Sequence, residues 1–567
     1  MLGAAAQGAG QAAPIEAADR APVTVHGMVR NDLTGKPVAL AQVKIADGAG
    51  GSALTDGEGR FEIPGVPVGA QTVTVSAAGF FDRSGGFEVD PDRAFAGPVH
   101  HVLVAAEMPE LAFTLEPTGV VHGQIDLTAG GQAAGITVEL LRQTVQDGRA
   151  VWQPAGEATA GSDGGYRFEE LQAGEYALYT QPAMAIEPAA KPGSIGATEH
   201  WGCASIFYPD ARDVAGAAKI HLAAGADAQA DLTLTLERFY SVAAEATLPD
   251  GRRYGSGNPA WEGMNLTAIV LDAKGNILPY MPLYDAESKS VQALLPDGSY
   301  SLLVTVTTSR FTASVAGNNT YSPAMDAGPY TGFAYFSVAG HDVAGMRVPL
   351  VGSHGGPVQS SVVRTTEQPA SEQSGGVMLT ISQAGGWIDD GMVSAFASGA
   401  APGPLETTYT LPGAYWVHTQ VGQKGLCEAS FTAGGANLAR EPAQMGLTGS
   451  TAPMQLTLRD GCARLALRLP RTLTAPTAGE ETYYTVYVVP EFDFMWDVEP
   501  ITLRVSTGGT AALDDLTPGS YHVYTFAGPM SLEYRNPAVL AGLPSPGQTI
   551  ALSPGGSSDL VLEIPKN

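Results

Sequence analysis

A short phrase, glycine two residues ahead of a tyrosine that opens an alternating run, returns along this chain at domain-sized intervals. It reads "LQAGEYALYT" at 171–180, "LLPDGSYSLLVT" at 294–305, "YTLPGAYWVHT" at 409–419 and "LTPGSYHVYTF" at 516–526. A fainter form, "VPVGAQTVTVSA", stands at 66–77. The glycines are Gly69, Gly174, Gly298, Gly413 and Gly519, so successive copies lie 105, 124, 115 and 106 residues apart. After Tyr176 the side chains alternate, with Leu178 and Thr180 on its side and Ala177 and Tyr179 on the other. Period two is the mark of a strand, because successive side chains of an extended chain point to opposite faces. The recurrence therefore specifies a small β-domain, repeated five times.

Composition agrees with that reading. Seventy glycines and forty prolines would suit a disordered chain, yet 44% of the residues are hydrophobic and twenty are tyrosine. Short strands joined by many tight turns satisfy both facts. At 567 residues the chain exceeds what one core holds. The formal charge of −27 repels phosphate backbones, which excludes nucleic acid as a partner. No run approaches the roughly 18–20 apolar residues of a membrane-spanning helix.

A glycine turn followed by tyrosine at the head of a strand is similar to the tyrosine corner of immunoglobulin-like sandwiches, where the hydroxyl bonds to the backbone a few residues upstream. Tyr176, Tyr300, Tyr415 and Tyr521 are the corner residues. The first two units say more. Residues 25–80 contain "VHGMVRNDLTGKPVALAQVKI" and then "ALTDGEGRFEIPGVPVGAQTVTVSAAGF"; residues 121–180 contain "VHGQIDLTAGGQAAGITVELL" and then "ATAGSDGGYRFEELQAGEYALYT". This order of strand, glycine turn, strand, Asp-Gly turn and glycine-led strand resembles the carboxypeptidase regulatory-like domain, a transthyretin-like (prealbumin-like) β-sandwich. The match is good in both units, apart from a long insertion in the second, and weak in the last three. It implies the architecture of large exported bacterial proteins and supplies no activity.

The expected fold is all-β: tandem Ig-like/transthyretin-like β-sandwich domains in a semi-rigid rod or arc, because the connectors are short. The units are expected at 23–117, 118–238, 239–351, 352–461 and 462–567, after an N-terminal tail at 1–22. That tail ends its first small-residue run in "AAAQ", like the remnant of a secretory signal peptide, or it serves as an arm. One short helix is expected from Asn536, an N-cap followed by Pro537.

Signals for chemistry are few. "TDGEGR" at 55–60 lacks the longer acidic series of a calcium loop and reads as a turn. Ten histidines include no HExxH and no paired Cys/His spacing, and GxSxG is missing. His100 and His101 are adjacent and so face opposite ways on a strand. No catalytic residue, cofactor or metal site is expected. Of three cysteines, Cys427 and Cys462 are the pair expected to form a disulfide, with Cys203 outside it, either free or bonded to another chain. Trp201, Trp387 and Trp416 are candidate glycan contacts if exposed.

The sequence thus points to a non-enzymatic, exported cell-surface structural or adhesive protein, in extracellular or periplasmic space. Its partners would be other envelope proteins or copies of itself. Two alternatives stand beside it: a carbohydrate-binding accessory protein gripping polysaccharide with aromatic loops, and a subunit of an extracellular assembly joined by β-augmentation.

Overall fold

The computed structural model describes residues 21–564, apart from 46–50, 91–94, 185–199, 257–263, 324–329, 353–357, 364–375, 385–394, 408–411, 474–478 and 492–497 and positions 129, 131–132, 274, 316–317, 400, 447–448, 481 and 546. Among the described residues the regular structure is almost entirely strand, with one short helix. The largest buried apolar clusters are five, and each draws on one stretch of chain: Val25 to Leu115, Val121 to Leu236, Tyr240 to Leu350, Val358 to Leu458, and Ala463 to Leu562.

One pairing scheme is repeated around all five cores. The opening strand of each unit lies antiparallel to a mid-unit strand and parallel to the closing strand. In the first unit Val23–Asn31 pairs with Arg60–Val66 and with Leu111–Pro117. In the fifth, Ala463–Arg468 pairs with Thr510–Leu516 and with Ser557–Val561. The second, third and fourth units repeat both pairings. The facing sheet is built around the strand that the glycine starts: Gly174–Thr180 lies between Thr137–Gln146 and Ile220–Leu222, and Gly519–Ala527 lies between Tyr483–Pro490 and Gln548–Leu552. Alternation in the sequence accounts for this two-layer build. In Val23–Asn31, Val25, Gly27 and Val29 are buried while His26 and Arg30 are exposed. The last three units, whose resemblance to the family is weak in sequence, keep the same scheme, because it asks for alternating apolar positions and not for particular residues.

The "TDGEGR" stretch is a turn: Asp56 Oδ1 accepts from the backbone N–H of Glu58 at 3.0 Å and of Arg60 at 2.8 Å. The helix is Pro537–Ala541, capped by Asn536, whose side chain accepts from Ala538 N–H. No helix among the described residues is long and apolar enough to cross a membrane.

Of the rod and the arc, the contacts describe an arc, bent far enough for its end to meet its beginning. The short strand Gly479–Glu480 of the fifth unit pairs antiparallel with Val102 and Leu103 of the first, and Tyr483 Oη donates to the Ser84 carbonyl at 3.4 Å. The fifth unit also meets the second, at the site described next.

Candidate functional site

Three corner tyrosines make the same bond. Tyr176 Oη donates to the Gln172 carbonyl at 2.6 Å, Tyr300 to Pro296 at 3.0 Å and Tyr521 to Thr517 at 2.6 Å, each four residues upstream. Burial pushes the phenols of all three up from their ordinary value. In the third copy the glycine makes room for the ring: a Cβ on Gly298 would lie 2.7 Å from Tyr300. Tyr415 packs against the fourth core, and Leu411, four residues before it, lies outside the described residues. Tyr176, Tyr300 and Tyr521 are buried in their own units, and Tyr415 is half-buried.

A disulfide joins Cys427 to Cys462, with Cα atoms 5.8 Å apart. It sits where the fourth unit hands over to the fifth. Around it, Thr517 Oγ1 donates to the Glu428 carbonyl at 2.7 Å and Gly425 N–H donates to Asp515 Oδ1 at 3.1 Å. Cys203 is a free thiol, 1% exposed, and burial together with Glu237 pushes it up to about 11. A thiol so enclosed does not reach another chain.

The tryptophans lead elsewhere. Trp201 is half-buried against the second core. Trp387 lies outside the described residues. Trp416 is half-buried and lies under the guanidinium of Arg149, 3.7 Å from its ring centre, at a meeting of the second, fourth and fifth units.

That meeting is made by one long hairpin. Thr137–Gln146 and Arg149–Thr159 of the second unit pair along their length, and Asp147 and Gly148 form the two-residue turn with φ of 46° and 66°. Positive φ at both central positions is what a type I′ turn requires, and Asp-Gly is among its preferred pairs. The turn delivers the Asp147 carboxylate into a cluster from two other units. Tyr534 Oη donates to Oδ1 at 2.7 Å, and Arg535 Nη2 donates to the same oxygen at 3.2 Å. Arg149 Nη1 donates to Oδ2 at 2.6 Å, and His418 Nδ1 lies 3.4 Å from Oδ2. Arg535 also holds the turn's backbone, donating from Nε to the Asp147 carbonyl at 3.1 Å and from its own N–H to the Gly148 carbonyl at 3.0 Å. A Cβ on Gly148 would come within 2.6 Å of the Tyr534 ring.

Burial, and then the second guanidinium of Arg535, lowers the basicity of Arg149. Burial and the neighbouring Asp147 raise the Tyr534 phenol. The result is a largely buried carboxylate balanced by two guanidinia, which is a clamp between units; on its fourth-unit side Ser382 Oγ lies 3.3 Å from His418 Nε2, whose Nδ1 faces Asp147. Beside it opens a cavity of about 730 Å³, lined by residues of all three units, including Trp152, Trp416 and Tyr534. Among the described residues, no group of three or more His, Cys, Asp or Glu is placed to hold a metal ion.

The hairpin was legible as "VQDGRAVW", an Asp-Gly between alternating runs. Its partners were not, since Tyr534 and Arg535 stand 387 and 388 residues away.

The family model of the carboxypeptidase regulatory-like domain matches residues 24–97. Over that stretch, about an eighth of the chain, the first sandwich is similar to this domain. The first unit receives the returning strand of the fifth, and its buried pair of His100 and Asp82, 2.8 Å apart, stands next to that contact in the chain. No curated protein matches the sequence. Among solved structures, the TIE protein of Bacillus anthracis is 12% identical over 58% of this chain and 51% of its own, with a TM-score of 0.16. The minor pilin of Streptococcus agalactiae is 12% identical over 38% of this chain and 95% of its own, with a TM-score of 0.20. The major pilin subunit of Bacillus cereus is 10% identical over 58% of this chain and 99% of its own, with a TM-score of 0.14. Scores this low constrain neither the arrangement nor the role of this chain.

Proposed function

We propose that the chain is an exported, non-catalytic surface protein whose five sandwiches, at 23–117, 118–238, 239–351, 352–461 and 462–567, form a closed structural or adhesive scaffold. The observation that carries this reading is the disulfide between Cys427 and Cys462, set in the junction of the last two units. Such bonds persist in oxidising compartments and are rare where glutathione keeps thiols reduced. The clamp supports a scaffold role, because its charged groups are satisfied by one another across units. The edge pairing of Gly479–Glu480 on Val102 and Leu103 lies within one chain, and so favours self-closure over filament growth.

Fractionation of the producing cell, with surface labelling by a membrane-impermeant amine reagent, tests the location. The expected result is labelled protein outside the inner membrane with Cys427 and Cys462 protected from alkylation. Protein confined to the cytoplasm with both thiols free overturns the reading.

A further inference from the structure

We propose that the cleft between the second, fourth and fifth units binds a short neutral saccharide. The proposal rests on the surface reading above and deepens it by giving the scaffold a ligand. At about 730 Å³ the cavity falls within the range of small-ligand sites, and it lies between domains, where such sites concentrate. Two indoles line it, Trp152 on the hairpin, with Lys219 Nζ 5.8 Å from its ring centre, and Trp416 on the fourth unit, with Arg149 over one face, so a sugar ring would pack on the remaining surface of each. Flat aromatic carbon is the surface on which the C–H face of a sugar ring packs. Neutral hydrogen-bonding side chains share the lining: Gln146, Ser382 and Ser531.

Charge decides between ligand classes. Asp147 engages Arg149 and Arg535 together, so an anionic ligand must compete with a carboxylate already in place. A wholly apolar ligand leaves the amide and the hydroxyls without partners once water is displaced, which opposes its binding. A neutral ring carrying hydroxyls fits both halves of the lining. Because the walls come from three units, the same ligand would also hold the clamp shut, binding the closed chain and not the open one.

The test is titration of the full chain, followed by calorimetry and indole fluorescence, with neutral hexasaccharides of glucose, xylose, mannose and N-acetylglucosamine. Hexagalacturonate and an anionic apolar dye serve as the rival ligands. The expected result is binding of at least one neutral hexasaccharide with Kd below about 1 mM, equivalent to roughly −4 kcal/mol, with quenching of indole emission. Trp152→Ala is expected to weaken it at least about tenfold. Trp152 also packs against its own unit, so a second variant is needed. Ser531→Trp fills the cleft from an exposed position outside the carboxylate cluster, and is expected to abolish binding while leaving the clamp closed. Absence of binding by all four neutral sugars, binding unchanged in both variants, or tighter binding of hexagalacturonate or of the dye overturns the proposal. An exported protein that binds no sugar removes this proposal alone; a cytoplasmic protein that binds one removes the location reading alone.

Discussion

Gln71 donates from Nε2 to the Pro67 carbonyl at 3.2 Å, four residues upstream, and so makes in the first unit the bond that Tyr176, Tyr300 and Tyr521 make in theirs. The feature these four units share is therefore a donor reaching the i−4 carbonyl. Replacing Tyr521 by Phe keeps the ring and removes the donor. The expected cost is about 0.5–1.5 kcal/mol in its own unit, the net worth of one hydrogen bond. Tyr176→Phe and Tyr300→Phe are expected to behave alike. Denaturant titration of the variants measures this, and stability unchanged in all three assigns the tyrosines to packing alone.

Asp147→Asn isolates the clamp, because Asn-Gly suits the same turn while the charge is lost. Two guanidinia then remain partly buried with a neutral partner. The contacts between units are expected to weaken by about 2–3 kcal/mol, the scale of hydrogen bonds to charged groups, with the five cores intact. Small-angle scattering should show a larger radius of gyration, and proteolysis should gain a cut near the hairpin. An unchanged radius and digestion pattern would falsify the clamp.

Opening the Cys427–Cys462 bond releases a loop spanning 35 residues. In the chain-entropy model that is worth about 3–4 kcal/mol. Calorimetry under reducing conditions should show the fourth and fifth units melting earlier while the first two hold their transition. A uniform shift of every transition, or none, contradicts a bond that acts locally.

Cys203 is expected to resist alkylation at pH 8 until denaturant is added, because its thiol is pushed up to about 11 and is enclosed. The sign of its pH dependence follows. The folded value lies above the unfolded one, so the thiol favours the folded chain fully below pH 9, and the advantage fades as pH rises through about 11. Mass spectrometry after timed iodoacetamide treatment checks this, and rapid modification of native protein speaks against it.

The repeated phrase carried the fold because it combines two local rules, a glycine that makes room and a strand with period two. Gly298 and Tyr300 meet within three residues, so sequence alone shows them. The pairing of Cys427 with Cys462 was also within reach, lying 35 residues apart across one expected boundary. Trp416 is a candidate glycan contact by residue type, and it does line the cleft, but one face of its ring is covered by Arg149, from a unit two places earlier. Periodicity gives the face of a strand that a side chain occupies and says nothing about which other unit comes to rest on that face. The cluster around Asp147 was illegible for the same reason: its members come from three units, and only the closure of the arc brings them together.

That closure has a consequence in time. Val102 and Leu103 receive Gly479 and Glu480 as strand neighbours, and the donor segment is made some 376 residues after its acceptor. At about 5–20 residues per second, ribosomal synthesis leaves that stretch of backbone waiting on the order of 20–75 seconds. Where the first unit folds before the fifth has been made, its unsatisfied N–H and C=O groups are open for that interval to any passing extended segment, including the same segment of an older molecule. A nascent chain that accepts the older molecule's strand becomes one half of an exchanged pair, and the order in which the units are born favours the monomer only when molecules emerge far enough apart.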